Sequence, residues 1–337
     1  MINNNVFGID LGTSSICIYN HAKKKIMIEK NMIAIERKKS VFAYGDSAFE
    51  MYEKSPDNIV VSYPLSNGVI ADINNMKTLL SFFIKDISAG NFKNSDYFIA
   101  VPTDVTEVEK RAFYDLIKES NLKPHKIMIV EKAVADGIGL GIEVKSSQGV
   151  LIVDVGYNTT EISILSLGGI VLSKLIKTGG LKFDDAIRSA VRKEYNLLIG
   201  EKTAEKVKID LASLKSENKP AVIYGRDIVS GLPMEREIST DLIDECLKDH
   251  FTYIVDFIKL ILERTPPELS ADIYRNGLYL TGGGSLVSGL SDALRVGTGL
   301  KINCAENAYE TVVRGTAEII RNKKLRSVAY TIEGMGK

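Results

Sequence analysis

The chain has 337 residues, 45% of them apolar and 26% charged, and its 43 basic residues balance 43 acidic ones. That length suits about two domains of ~150 residues, and the lack of a basic block argues against nucleic acid as a partner. No apolar run approaches the ~20 residues of a membrane-spanning helix.

In chain order, residues 1–5 have neither a charged nor an apolar region of the kind a signal peptide needs, so none is expected there. A strand over 6–9 runs into the turn Asp10-Leu11-Gly12-Thr13-Ser14-Ser15, and a second strand follows over 16–19. Apolar runs around a Gly/Ser/Thr turn mark a hairpin. The layout recurs in the second half: a strand over 150–153, the turn Asp154-Val155-Gly156-Tyr157-Asn158-Thr159-Thr160, and a strand over 161–165. Residues 251–262 form the longest apolar stretch of helical type, interrupted by Asp256 and Lys259, and read as a buried helix. A strand over 277–280 then ends in Thr281-Gly282-Gly283-Gly284-Ser285, with a helix expected from about Leu286. Cys17, Cys246 and Cys304, like His21, His125 and His250, are scattered without metal-ligand or disulfide spacing. They are expected to be buried thiols and incidental histidines in a reducing cytoplasm.

One such hairpin is ordinary. Two, each opening one half of the chain, point to a duplicated architecture with two related lobes. The chemistry that needs the device is a polyphosphate clamp. Glycines let backbone approach phosphate oxygens, and successive turn amides form a positively polarised nest for an anion. Asp10 and Asp154 would repel phosphates unless a cation lay between, which implies Mg2+ held by few carboxylates and much water. The triple-glycine turn suits either a nucleoside lying on it or a plain strand-to-helix connection, and its position after both hairpins favours the nucleoside.

These elements, in this order, resemble the two phosphate motifs and the adenosine motif of the actin, sugar-kinase and heat-shock-chaperone superfamily. Within it the chain is similar to the bacterial MreB family over almost its whole length, including 64–72, 101–109, 166–171, 195–205, 225–233 and 265–269. The resemblance implies an α/β, actin-like, two-lobed fold, each lobe with a ribonuclease-H-like core and a smaller subdomain. Lobe I would span 1–149, with its subdomain at about 31–78. Lobe II would span 150–323, with its subdomain at about 186–250, and 324–337 would return to lobe I. It implies ATP or ADP with Mg2+, straight protofilaments that pair antiparallel, and a weak ATPase. Asp10, Gly12, Thr13, Ser14 and Ser15 would serve the first phosphate loop. Asp154, Gly156, Tyr157, Asn158, Thr159 and Thr160 would serve the second, with Gly179 and Gly180 beside them. Gly282, Gly283, Gly284 and Ser285 would back the adenine. Glu205 and Lys208, at i and i+3, would contact the nucleoside.

The chain also departs from the family. The usual two carboxylates followed by proline read here as Glu131-Lys132-Ala133. The second carboxylate helps place the attacking water, and Lys132 stands in its position, while Thr159, the other water contact, is retained. A lysine ammonium has three donors and no acceptor, so slow hydrolysis is expected whether Lys132 faces solvent or the γ-phosphate. Gly156-Tyr157-Asn158 replaces three glycines, and Tyr pays a steric cost in left-handed geometry, so a stiffer or shifted turn is expected. Ser15 replaces an Asn, and Leu181 an acidic residue. Membrane contact is expected, if anywhere, at the 88–94 loop, where Phe92 lies beside Lys93, since 1–5 is too short and polar for an amphipathic helix.

The reading is therefore a cytoplasmic filament subunit of the cytoskeleton, associated with the membrane's inner face if the loop touches it. Substitutions at catalytic positions suggest a specialised paralogue, of the kind expected in a wall-less helical bacterium such as Spiroplasma, with sister paralogues as further partners. A small-molecule kinase and a chaperone ATPase of the same superfamily are the alternatives. The first would need substrate loops and the second a further domain, and no segment resembling either is apparent.

Overall fold

A computed structural model describes residues 5–37, 40–212 and 220–332. The start of the chain, apart from Asn5, lies outside the described residues, as do 38–39, 213–219 and 333–337.

Two five-stranded sheets organise the molecule, and they have the same plan. In the first, the order is Lys126–Glu131, Asp96–Val101, Val6–Leu11, Ser15–Asn20, Lys25–Lys30. In the second it is Ile302–Cys304, Leu278–Thr281, Val150–Val155, Thr160–Ser166, Gly169–Ile176. Each is an antiparallel meander of three strands, extended by two parallel strands on the side of its first strand. The meander's first strand is central, and every residue of Val6–Leu11 and of Val150–Val155 is buried. This is why both read as continuous apolar runs rather than alternating ones.

Smaller sheets are inserted in each half. Ser40–Tyr44, Ile33–Glu36 and Ile59–Ser62 form one, over a small core of Met32, Ala34, Ala48 and Ile59. Leu197–Leu198, Ala221–Asp227 and Pro233–Ile238 form the other.

The halves meet where the helices Lys132–Gly139 and Thr311–Arg321 cross. A Cβ on Gly139 would lie 1.9 Å from the Thr311 carbonyl oxygen, and one on Gly315 1.8 Å from that of Ala135. Backbone touches backbone there, which only glycine allows. Downstream, Tyr330 exchanges backbone hydrogen bonds with Ile129 of the first sheet, at 2.7 and 3.0 Å.

The 251–262 stretch lies in the helix Thr240–Glu263, which buries Phe251, Ile254, Val255, Ile258 and Ile261 along one stripe. Among the described residues no helix is long and apolar enough to cross a membrane. Three details differ from expectation. Cys304 is exposed, because it ends a short edge strand, and Cys246 is only half-buried, whereas Cys17 is buried as expected; all three cysteines are free. Phe92 is half-buried against the core of the first half rather than projecting. The helix expected near Leu286 begins at Leu290, after a 3-10 turn over Gly283–Leu286 and a left-handed Gly289 at φ 79°.

Candidate functional site

A cleft of about 410 Å3 lies between the halves, and both hairpin turns open into it. Asp10, Gly12, Thr13, Ser14 and Ser15 line one wall, and Asp154, Gly156, Tyr157, Asn158 and Thr159 face them. A Cβ on Gly12 would lie 2.7 Å from the Ser15 carbonyl oxygen, and one on Gly156 3.0 Å from that of Thr159. Both turns thus fold back over a glycine, three residues on. No residue between Leu11 and Ser15 or between Val155 and Thr159 has a positive φ. The left-handed cost expected at Tyr157 therefore does not arise, because the turn asks for small size at Gly156 and ordinary backbone after it. The Tyr157 ring instead lies 5.9 Å from that of Tyr63, across the cleft.

The triple-glycine turn forms a third wall. A Cβ on Gly282, at φ 82°, would lie 2.1 Å from Asp154 Oδ1, and one on Gly284 2.6 Å from Val155 Cγ1. A Cβ on Gly283 would lie 2.8 Å from the Tyr309 ring. Protein atoms already account for all three close approaches, so the glycines dock this turn on the second hairpin and, in doing so, shape the cleft.

Lys132 is the first residue of its helix, lines the cleft, and places Nζ 2.7 Å from Asp154 Oδ2. Burial alone would lower its pKa, but the carboxyls of Asp154, Asp10 and Asp136 hold it well above the ordinary lysine value. It is a fixed cation. Burial holds Asp10 above the usual carboxylate range, against the pull of Lys132 and with the help of Asp154. Asp136 sits one helical turn after Lys132, buried, with neither carboxyl oxygen hydrogen-bonded. Burial and then Asp154 push its pKa far up. Glu161, also buried, is pushed up to about 7 by burial, and its Oε1 accepts from the Thr103 backbone N–H at 3.2 Å. Four carboxyls thus surround one ammonium.

Glu205 and Lys208 both line the cleft, but each has its own partner. The Lys30 ammonium reaches Glu205 at 3.3 Å from the opposite wall. Lys208 donates to Asp184 at 3.0 Å and to the Gly180 carbonyl at 3.1 Å. Burial raises Asp184 to about 6 despite that ammonium. At the outer mouth, the Glu53 carboxylate accepts from the Glu201 backbone N–H at 3.1 Å, capping the Glu201–Leu211 helix with the charge its dipole favours.

Four expected residues stand behind the cleft rather than in its lining. Thr160 donates its hydroxyl to the Thr178 carbonyl at 2.7 Å. Ser285 donates to the Gly282 carbonyl at 2.7 Å, closing the glycine turn. Gly179 packs against the Gly156 and Tyr157 carbonyls. Glu131 accepts from Lys110 at 2.9 Å and from the Tyr330 hydroxyl at 2.6 Å. Sequence reasoning missed Lys30, Asp136, Asp184 and Tyr309. Of these only Asp136 carried a signal, its i+4 spacing from Lys132; the other three reach the site through tertiary packing.

The described residues offer no cluster of three or more His, Cys, Asp or Glu side chains able to hold a metal. Asp10 and Asp154 together fit Mg2+ in the manner usual beside phosphates, with two carboxylates and the remaining shell from water and phosphate.

Residues 4–327 match the family model described as MreB/Mbl protein. The chain is 38% identical over 319 residues to the cell shape-determining protein Mbl of Bacillus subtilis, covering 94% of this chain and 95% of that one. It is 34% identical over 320 residues to the cell shape-determining protein MreB of Escherichia coli, covering 92% of each. Among solved structures, MreB5 of Spiroplasma citri bound to AMPPNP superposes with a TM-score of 0.89 at 36% identity, over 96% of this chain and 97% of that one. The MamK double helical filament superposes at 0.77 with 22% identity, over 94% of this chain and 98% of that one, a likeness of fold. The two equivalent sheets, each with its inserted smaller sheet, are the two lobes of an actin-like fold. The chain belongs to the MreB/Mbl protein family.

Proposed function

We propose that this chain is a cytoskeletal filament subunit that determines cell shape or drives helical-cell motility, binding ATP in the cleft and hydrolysing it slowly. The observation that carries the reading is the pair of equivalent turns facing each other across one cleft, with the triple-glycine turn as a third wall. The related MreB5 of Spiroplasma citri has been solved with AMPPNP and with ADP.

In this reading Gly12, Thr13, Ser14 and Ser15 hold phosphates from one side, and Gly156, Asn158 and Thr159 from the other. Gly282, Gly283 and Gly284 back the adenine, and Glu205 and Lys208 contact the nucleoside. Asp10 and Asp154 would hold Mg2+ largely through water, and the ion supplies charge neutralisation at the phosphates. Thr159 orients the attacking water. Lys132, which offers donors only, cannot accept a proton from that water, and loss of a positioned base costs about 10²–10⁴-fold in rate. Glu131 is engaged with Lys110 and Tyr330 and acts by anchoring the strand before Lys132.

ATP spanning both walls favours the closed arrangement of lobes 1–149 and 150–323, a population shift driven by differential affinity. A head-to-tail contact that does not close into a ring then gives a filament, paired antiparallel, with sister paralogues as further partners. The subunit works in the cytoplasm. Contact with the membrane's inner face at the 88–94 loop would rest on exposed Lys93, because the Phe92 ring is packed on the core.

The test is light scattering and pelleting with Mg·ATP in the absence of sugar. A rise in scattering with pelletable protein is the expected result. No assembly, together with sugar-dependent ADP release, would overturn the reading in favour of a kinase.

A further inference from the structure

Two carboxylates beside a polyphosphate require a counter-cation, and this chain carries one of its own. Lys132 Nζ lies 2.7 Å from Asp154 Oδ2, inside the cleft lining. The other Asp154 oxygen is packed against the Gly282 backbone, where a Cβ would lie only 2.1 Å away. One Asp154 oxygen is therefore already paired with an ammonium and the other is crowded by the glycine turn, while Asp10 makes no ion pair among the described residues, which leaves Asp10 as the freer carboxylate for a metal. Asp136, buried one helical turn along from Lys132, adds a further carboxyl behind the ammonium.

We infer that Lys132 is a resident cation that takes over much of the charge neutralisation Mg2+ would supply, so that this cleft binds ATP with little dependence on Mg2+. The inference rests on the nucleotide reading above. The ammonium has three donors. One stays on Asp154, and the others are free to meet a phosphate oxygen entering between the two turns. One group then bridges carboxylate and phosphate. The same substitution that removes an acceptor from the attacking water leaves a cation where the phosphates meet Asp10 and Asp154.

The experiment is equilibrium binding of a fluorescent ATP analogue to the full chain, in Mg2+ and in EDTA. It is run on the unmodified protein, on Lys132→Met and on Lys132→Glu. Exchange of Mg2+ for EDTA is expected to weaken binding by the unmodified protein less than about tenfold. The two variants are expected to lose about a hundredfold or more on the same exchange, the scale of one unit charge at contact distance in a partly screened site. Tight binding of the unmodified protein in Mg2+ that vanishes in EDTA would overturn this inference and leave the nucleotide site standing. No binding in either condition would overturn both. The comparison on the unmodified protein decides the matter even if a variant fails to fold.

Discussion

The Lys30 ammonium, on the edge strand of the first sheet, lies 3.3 Å from the Glu205 carboxylate on the other side of the cleft. The pair ties the two halves together at the mouth. Both side chains are about a quarter exposed, which puts the pair near the top of the range for surface ion pairs. A double-mutant cycle of Lys30→Ala and Glu205→Ala, read by urea denaturation, is expected to give a coupling of about 0.5–1 kcal/mol. The coupling should shrink in 1 M salt, where screening acts over about 3 Å. Additive single effects would remove the strap.

Lys208 and Asp184 form a more deeply buried pair, with the Asp184 side chain only 1% exposed. Lys208→Met leaves a buried carboxylate without its cation, and at pH 8 it is expected to cost about 3–5 kcal/mol. Asp184 already sits near pH 6 with its partner present, so without Lys208 it rises further and protonates more readily. The loss should therefore be smaller at pH 5 than at pH 8, and Asp184→Asn in the same chain should recover much of it. A loss independent of pH would assign the effect to lost packing instead.

Glu161 has an ordinary value of 4.5 and is raised to about 7 in the folded protein. A raised carboxyl binds its proton more tightly when folded, so its stabilising contribution is complete below pH 4.5 and is lost as pH rises through 7. Glu161→Gln should gain on the unmodified protein by about 3 kcal/mol across that window, and the gain should then stay constant at higher pH. Urea midpoints at pH 4.5, 6 and 8 check this. A variant that is equally destabilised at all three would contradict it.

Gly12 and Gly156 hold equivalent places in the two turns. Because a Cβ on Gly12 would lie 2.7 Å from the Ser15 carbonyl oxygen, Gly12→Ala must shift the first turn. Its ATP affinity is expected to fall by about tenfold or more, equivalent to ~1.4 kcal/mol, with a near-native denaturation midpoint. Gly156→Ala, with 3.0 Å of clearance, should lose less. The reverse order would show that the second turn dominates phosphate binding.

Much of the fold was legible from two local signals. The strand–turn–strand runs at Asp10 and Asp154 became equivalent antiparallel hairpins, because each central strand is buried on both faces and so writes itself as an unbroken apolar run. Most residues of the two hairpin turns line one cleft for the same reason: each turn sits at the end of such a strand. Side-chain destinations were less legible. Thr160, next to the lining residue Thr159, turns inward to Thr178, since neighbours along a strand face opposite ways. Lys30 enters the site because it pairs in register with Ser15, a relation made by the sheet and not by proximity in sequence. Lys132 was recognised as a departure, yet only the fold shows its ammonium on Asp154.

The central claim is that this cleft holds ATP without readily turning it over, because Lys132 stands where a water-positioning carboxylate would serve. The most direct measurement loads the protein with radiolabelled Mg·ATP, removes free nucleotide, and follows bound ATP and ADP over time for the unmodified chain and for Lys132→Glu. Bound nucleotide that stays ATP in the unmodified chain and becomes ADP faster in Lys132→Glu, by about 10²-fold or more, is the expected result. ADP accumulating equally fast in both would contradict the claim and move the water-positioning role to another group.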